Sequence, residues 1–155
     1  MTSLTHRAVL QIDRAIVALE ALQPAAQLLA RFYVAKVFFL SGLTKLRDWD
    51  ITLALFTDEY HVPLLSPALA AWLGTASELA LPVMLVLGLA GRASAIGLFV
   101  LNAVAVISLS DIGEAALQLH LFWGSLLLGL ALWGPGRWSV DAWWFGRAAR
   151  LHHRG

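Results

Sequence analysis

Four apolar stretches dominate this chain of 155 residues, and each approaches the length that a helix needs to cross a bilayer. A helix covers roughly 30 Å of hydrocarbon with about 20 residues. The stretches run over 28–46, 68–89, 93–110 and 115–133. Only 14% of the residues are charged, against roughly 25% in soluble domains. We therefore predict an all-α membrane protein whose four transmembrane helices form an up-down bundle.

The charge balance and the absence of cysteine exclude several classes of function. The chain has 11 Lys and Arg residues and 10 Asp and Glu residues, without the clustered positive excess that a nucleic-acid binder needs. Without cysteine there can be no disulfide, thiolate metal site, cysteine-ligated iron–sulfur cluster or dithiol redox chemistry. No haem motif or dinucleotide fingerprint is present either. We expect no covalently bound cofactor, so a redox role requires a bound ligand and an electron-donating partner.

The arginines predict which side of the membrane each end faces, because positive residues resist translocation. Most arginines fall on the side that would hold both termini and the 90–92 turn. Of the positive residues near the ends of the spans, only Lys45 and Arg47 fall on the other side. Both termini are therefore expected in the cytoplasm. The arginines on that side are Arg7, Arg14, Arg31, Arg92, Arg137, Arg147, Arg150 and Arg154.

Three regions follow from these boundaries. Residues 1–27 are expected to form a short interfacial helix on the cytoplasmic surface, over Arg7 to Leu22, which ends before Pro24 because proline breaks helices. Residues 28–133 form the four-helix transmembrane domain. Residues 134–155 form a basic cytoplasmic tail.

The outer connection over 47–67 is long for a helical bundle. Its apolar portion, 51–56, is followed by further apolar side chains. We predict that this portion either dips into the membrane interface or caps the outer mouth of the bundle.

Charged residues inside the apolar stretches are the first candidates for a functional site, because a charge at mid-membrane is costly. Glu78 lies about 16 Å from the inner end of its span, and Lys36 about 12 Å from the same side. Lys45 points to the opposite face of its helix from Lys36, where Arg31, Ser41 and Lys45 lie within about 80° of one another. Depth favours Lys36 as the partner of Glu78, whereas the polar stripe favours Lys45, and both alternatives stay open. Glu78 is expected either to bind a ligand or handle protons, or to form a structural ion pair.

Two further polar residues fall within the spans. Asn102 is expected to join helices by a hydrogen bond more readily than to bind a ligand. His120 has an imidazole that can donate a hydrogen bond to a quinone carbonyl or ligate haem or a metal, and a packing role fits equally well. In the outer loop, Asp58, Glu59 and His61 are weak candidates for a divalent cation. Loops collect such charges anyway, and we expect no metal site.

A series of short strings runs in order through most of the chain. The strings are Arg31, Ser41-Gly42-Leu43-Thr44-Lys45-Leu46, Asp48-Trp49, Leu55-Phe56, Glu59-Tyr60, Val62-Pro63-Leu64-Leu65, Glu78-Leu79, Leu87-Gly88-Leu89, Arg92, Gly134-Pro135-Gly136, Ser139 and Asp141. Together these strings resemble the DoxX family of small bacterial membrane proteins. His120, followed by Trp123-Gly124, is similar to a subgroup whose outer loop carries the Glu-Tyr and Val-Pro pairs.

The resemblance implies a multi-pass protein of the bacterial inner (cytoplasmic) membrane. For some relatives it implies membership of membrane oxidoreductase systems, including the small subunit of a thiosulfate:quinone oxidoreductase. Lys36 matches no motif of the family. The residues that match are Arg31, Gly42, Lys45, Glu78, Gly88, Arg92 and His120.

Three functions are compatible with these residues. The first is an accessory component of a membrane redox system, possessing a quinone site in which Lys45, Glu78 and His120 bind or protonate the head group and a separate redox protein supplies electrons. If the chain is enzymatic at all, it is then a subunit of a quinone-linked oxidoreductase. The second is a non-catalytic anchor or assembly subunit in which Lys45 and Glu78 form a structural pair. The third, ranked last, is a small carrier that acts as a homo-oligomer and uses the same charges.

Overall fold

A computed structural model describes residues 3–144 of the chain, with side chains from residue 9 onward. Four of its helices are long and apolar enough to cross a membrane, which confirms the all-α membrane fold. The last three spans begin and end within two residues of their predicted limits. The helices are α1 (Ser3–Arg47), α2 (Trp49–Asp58), α3 (Pro67–Leu87), α4 (Gly91–Ser108) and α5 (Glu114–Trp133).

The four long helices alternate in direction along the chain. Helix α1 packs mainly on α3, α4 packs mainly on α5, and α3 contacts α4. The turn over 88–91 and residues 134–144 lie together at one end of the bundle, here called the tail end. Helix α2, residues 59–66 and residues 109–113 lie at the other, here called the loop end.

The first helix differs from its prediction. The expected helix end before Pro24 is wrong, because α1 continues unbroken from Ser3 through Pro24 to Arg47. A proline inside a helix costs about 3 kcal/mol, but Pro24 is buried and shares a surface cavity with Gly136 and Ser139. Pro24 therefore lies beside the segment that follows α5, and the helix continues through it. Residues 3–27 extend the first span instead of forming a separate helix.

At the loop end, α2 begins directly after α1. The Asp48 carboxylate accepts a hydrogen bond from the Ile51 backbone N–H at 3.0 Å and so caps α2. The Thr52 hydroxyl donates to the Lys45 carbonyl at 2.8 Å, which ties the start of α2 to the end of α1. Phe56 is buried against Ala70 and its neighbours at the start of α3. The apolar portion of the connection thus caps the bundle, which is the second of the two predicted alternatives.

At the tail end, Arg31 is fully buried. Its guanidinium donates to the carbonyl of Val86 at 3.3 Å and to the carbonyl of Trp138 at 2.5 Å. Arg31 therefore ties the end of α3 to the segment after α5. Arg31 faces α3, as Ser41 and Lys45 do. It lies at the opposite end of the span, however, so the expectation that it shares a functional site with those two residues is wrong.

The described part of the predicted basic tail is folded onto the bundle. The Asp141 carboxylate accepts hydrogen bonds from the backbone N–H groups of Ala90 at 2.9 Å and Gly91 at 2.8 Å. The first N–H groups of a helix have no partner within the helix, and Ala90 at the N-cap position has no side chain that could accept from them. The Asp141 carboxylate therefore caps α4 in its place. Arg147, Arg150 and Arg154, on which the basic character of the tail rests, lie outside the described residues.

The hydrophobic core fills the tail half of the bundle. Its members come from all four long helices and are almost inaccessible to solvent. They lie toward the end of α3, the start of α4 and the end of α5, so the loop half is left less completely filled. The core residues are Val34, Phe38, Leu85, Ala95, Leu98, Leu127 and Leu130.

Candidate functional site

Lys45 and Glu78 form an ion pair in the loop half of the bundle. The Lys45 ammonium lies 2.6 Å from Glu78 Oε2 and 2.8 Å from Oε1. It also donates to the Ser41 hydroxyl at 3.0 Å, and that hydroxyl donates to Glu78 Oε1 at 3.2 Å. The lysine and glutamate side chains are 15% and 12% exposed. Ser41, Lys45 and Glu78, here called the polar triad, therefore form a closed hydrogen-bonded set.

Helix geometry brings the triad together. Ser41 and Lys45 are four residues apart on α1 and so share one face of the helix. Between them lies Gly42, where a Cβ atom would lie 3.0 Å from both Glu78 Cβ and the Leu79 side chain. The glycine therefore allows α3 to approach α1 closely enough for the glutamate to reach the lysine.

The structure decides between the two lysines. Lys36 is exposed and lines an apolar surface groove with Phe32 and Val83. Lys45 is the partner of Glu78, as the polar stripe and the family motif favoured. The estimate from depth pointed to the wrong lysine because depth says nothing about which face of α1 meets α3.

The triad lies in the wall of a cavity of about 630 Å³ in the loop half of the bundle. This volume is within the range of about 300 to 1,000 Å³ typical of sites for small molecules. Most of the wall is apolar. Its polar side chains are Ser41, Lys45, Tyr60, Ser77, Glu78, Ser108 and His120.

The cavity opens sideways between α3 and α4. Leu73 of α3 and Val100 of α4 belong to its wall and are also 50% and 54% exposed. Both residues lie within membrane-spanning helices, so this opening faces lipid.

His120 reaches the cavity from α5 and is held by Asn102 of α4. The Asn102 amide donates to the His120 backbone carbonyl at 2.9 Å, and its oxygen lies 2.8 Å from His120 Nδ1. A Cβ atom at Gly124 would lie 3.3 Å from the Asn102 amide nitrogen, so the glycine leaves room for this amide. Asn102 joins α4 to α5 and orients the imidazole, but it does not line the cavity.

Two buried polar groups in the cavity wall have no hydrogen-bond partner among residues 9–144. They are the indole N–H of Trp123 and the hydroxyl of Ser108. Trp123 lies three residues after His120, and the two ring centroids are 5.0 Å apart. Buried polar groups are normally paired, so these two groups stand out among the buried polar atoms of the cavity wall.

Tyr60 belongs to the site but was not predicted from the sequence. The backbone of Tyr60 forms an isolated antiparallel bridge with that of Leu109, and the His61 backbone N–H donates to the Ser108 carbonyl at 2.8 Å. These contacts hold the tyrosine at the loop-end wall of the cavity, stacked on Phe56. A tyrosine in an irregular loop follows no helical periodicity, so only its place in the Glu-Tyr pair of the family motif marked it.

Burial raises the pKa of the Tyr60 phenol, and the carboxylates of Glu78 and Glu59 raise it further. We expect the Glu78→Gln variant to lower the Tyr60 pKa, because a negative charge beside the phenol is removed. The pKa should stay above its ordinary value, since burial is the larger cause. The ultraviolet difference absorbance of phenolate, titrated in parallel with a Tyr60→Phe variant, measures it. An unchanged pKa would contradict the placement of Tyr60 near the triad.

The other predicted candidates lie outside this cavity. Arg92 is exposed at the tail end and close to Gly134. Asp58 and Glu59 are exposed, and His61 contacts only the Ser110 hydroxyl among the hydrogen bonds of the described side chains, at 3.4 Å. Within the described range, no group of three or more His, Asp or Glu side chains is arranged to hold a metal ion.

Comparison with known proteins agrees with this architecture. A family model described as DoxX matches residues 26–111, which is more than half of the chain. No curated protein and no solved structure matches the chain. The matched range includes the complete triad and Tyr60, and it ends before His120. The protein therefore belongs to the DoxX family.

Proposed function

We propose that the cavity binds a membrane quinone and that the protein is an accessory component of a membrane redox system. The observation that carries this proposal is the polar triad in the wall of an apolar cavity that opens toward lipid. A quinone has a ring with two polar oxygens and an apolar isoprenoid tail. The triad suits the ring oxygens, and the opening between Leu73 and Val100 suits the tail.

Each polar group has a defined role in this proposal. The Lys45 ammonium donates a hydrogen bond to a ring oxygen, and Ser41 and Glu78 orient the ammonium. Reduction of a quinone to a quinol takes up two electrons and two protons, and the Glu78 carboxyl is placed to pass protons. The electrons come from a partner redox protein, since the chain has no cysteine.

We also propose that the tail end faces the cytoplasm of a bacterial cell and that the loop end faces outward. Arg92 and Arg137 lie at the tail end, in agreement with the retention of positive residues in the cytoplasm. The loop end carries acidic residues, among them Asp48, Asp58 and Glu59.

One observation favours the alternative of a non-catalytic anchor or assembly subunit. The charges of Lys45 and Glu78 already compensate each other, and Ser41 completes the set. Gly42 packs the two helices tightly at this point. In this alternative the triad fixes how α1 meets α3, and the cavity has no ligand.

Extraction of the purified protein tests the proposal. The protein in mild detergent is scanned for haem or flavin absorbance, and its organic extract is analysed by mass spectrometry. We expect nearly one quinone per protein, lost in the Glu78→Gln and Lys45→Ala variants. Lys36→Ala is the matched control, because Lys36 lies on the same helix outside the cavity, and it should retain the quinone.

A double exchange, Lys45→Glu with Glu78→Lys, separates the two functions. It preserves an ion pair but reverses the groups that would contact the ring oxygens. Loss of quinone from a folded double variant supports recognition of the quinone by the triad, whereas retention would show that the pair is structural and that the quinone is recognised by other groups. Absence of quinone from the unmodified protein, with Glu78→Gln only less stable, would favour the anchor.

A further inference from the structure

The contacts of Asn102 determine which nitrogen of His120 carries the hydrogen. A backbone carbonyl can only accept, so the Asn102 nitrogen must face the His120 carbonyl, as it does at 2.9 Å. The Asn102 oxygen then faces His120 Nδ1 at 2.8 Å and can only accept. Nδ1 therefore carries the hydrogen in the neutral imidazole. Nε2 is left as an acceptor, and it has no hydrogen-bond partner in the described part of the chain.

The next aromatic ring on this face of α5 carries a donor. Trp123 is one helical turn further along α5, so the two side chains share a face of the helix. Its buried indole N–H is without an acceptor among the described residues. Both rings line the cavity, and their centroids are 5.0 Å apart in an edge-to-face arrangement.

We propose that His120 and Trp123 recognise a hydroxyl group, so that the cavity binds the reduced quinol in preference to the oxidised quinone. This inference rests on the proposed function. A quinol hydroxyl donates its hydrogen to Nε2, and its oxygen can accept from the indole N–H. A quinone carbonyl can accept from the indole but cannot donate, so Nε2 stays unpaired. A buried acceptor left unpaired disfavours the complex.

The expected preference for the quinol is about tenfold, from the usual penalty for one unpaired buried polar group. Isothermal titration in detergent measures it, under anaerobic conditions at about pH 8 to keep the imidazole neutral. The probes are a benzoquinone with a decyl tail and the corresponding benzoquinol. The preference should fall to nearly one in His120→Phe. Trp123→Phe should weaken the binding of both probes and leave the preference, because both probes can accept from the indole. Trp72→Phe is the control, because Trp72 lies outside the cavity wall.

The hydrogen position is measured separately by nitrogen-15 NMR of histidine-labelled protein. We expect the His120 signals to show a protonated Nδ1 and an unprotonated Nε2, and His120→Phe identifies them. Asn102 acts here as a positioning residue. Its Asn102→Leu variant should mix the two tautomers and weaken the preference for quinol, whereas the total affinity for the quinone should change little.

The outcomes are distinct. A preference for quinol that depends on His120 and on the Nδ1–H tautomer supports the inference. Equal affinity for the two probes, or tighter binding of the quinone, overturns it while the proposed quinone site stands. Binding of neither probe overturns both. A protonated Nε2 in the neutral side chain also overturns the inference, whatever the affinities.

Discussion

Replacing Lys45 with methionine is expected to lower the free energy of unfolding by about 3 to 5 kcal/mol, the usual cost of breaking a buried ion pair. The Glu78 carboxylate, only 12% exposed, would lose the ammonium that lies 2.6 Å away. Ser41 alone cannot replace a charge. Unfolding in mixed micelles, followed by circular dichroism, measures the change. Lys36→Met is the control and should have little effect, because Lys36 is exposed.

Adding a second substitution at Glu78 tests whether the unpaired carboxylate causes this loss of stability. In the double variant Lys45→Met with Glu78→Leu, no charge is left unpaired, and a buried pair replaced by apolar residues often costs little. We therefore expect the double variant to recover most of the stability that the single variant loses. If Lys45→Met is no less stable than Lys36→Met, the pair contributes nothing to folding. If the double variant is the least stable, the loss has another cause than an unpaired carboxylate.

Replacing Gly88 with alanine is the second change for which a large effect is expected. Gly88 has a φ of 69°, a conformation that costs about 1 to 2 kcal/mol for other residues. An added Cβ would lie 2.3 Å from Ser139 Cβ and 2.7 Å from Arg31 Nη1, and overpacking of this kind costs about 1 to 3 kcal/mol. We therefore expect the free energy of unfolding to fall by about 2 to 5 kcal/mol.

The loss of stability in Gly88→Ala should be concentrated at the tail end. If Ser139 is displaced, the contacts of Arg31 with Trp138 and of Asp141 with α4 weaken, so trypsin should cleave at Arg137 faster than in the unmodified protein. Gly113→Ala is the matched control, because nothing lies within 4 Å of a Cβ there. Equal stability of the two variants would contradict the close packing of the 134–144 segment on the 88–91 turn.

The four spans could be predicted because crossing a bilayer demands a length and a composition that are visible in the chain. The continuity of α1 could not be predicted, since the surroundings of Pro24 are formed in part by residues more than a hundred positions away. The partner of Glu78 stayed open for a similar reason, because helix rotation depends on the facing helix. Gly42 is a further signal that could have identified the partner, as a small residue marks where two helices approach closely. Charge counting placed Arg31 at the tail end, but nothing in the periodicity indicated that its guanidinium is buried against backbone carbonyls or that Trp123 belongs to the cavity.

The unequal filling of the bundle has a consequence for vectorial chemistry. The tail half is closed by large apolar side chains from Val34 to Leu130, whereas the cavity occupies the loop half. An apolar core of this kind offers few partners for a chain of water molecules. If Glu78 exchanges protons, we therefore expect the exchange to involve the compartment at the loop end. A reaction whose electrons arrive from the other compartment would then move charge across the membrane and contribute to its electrical potential.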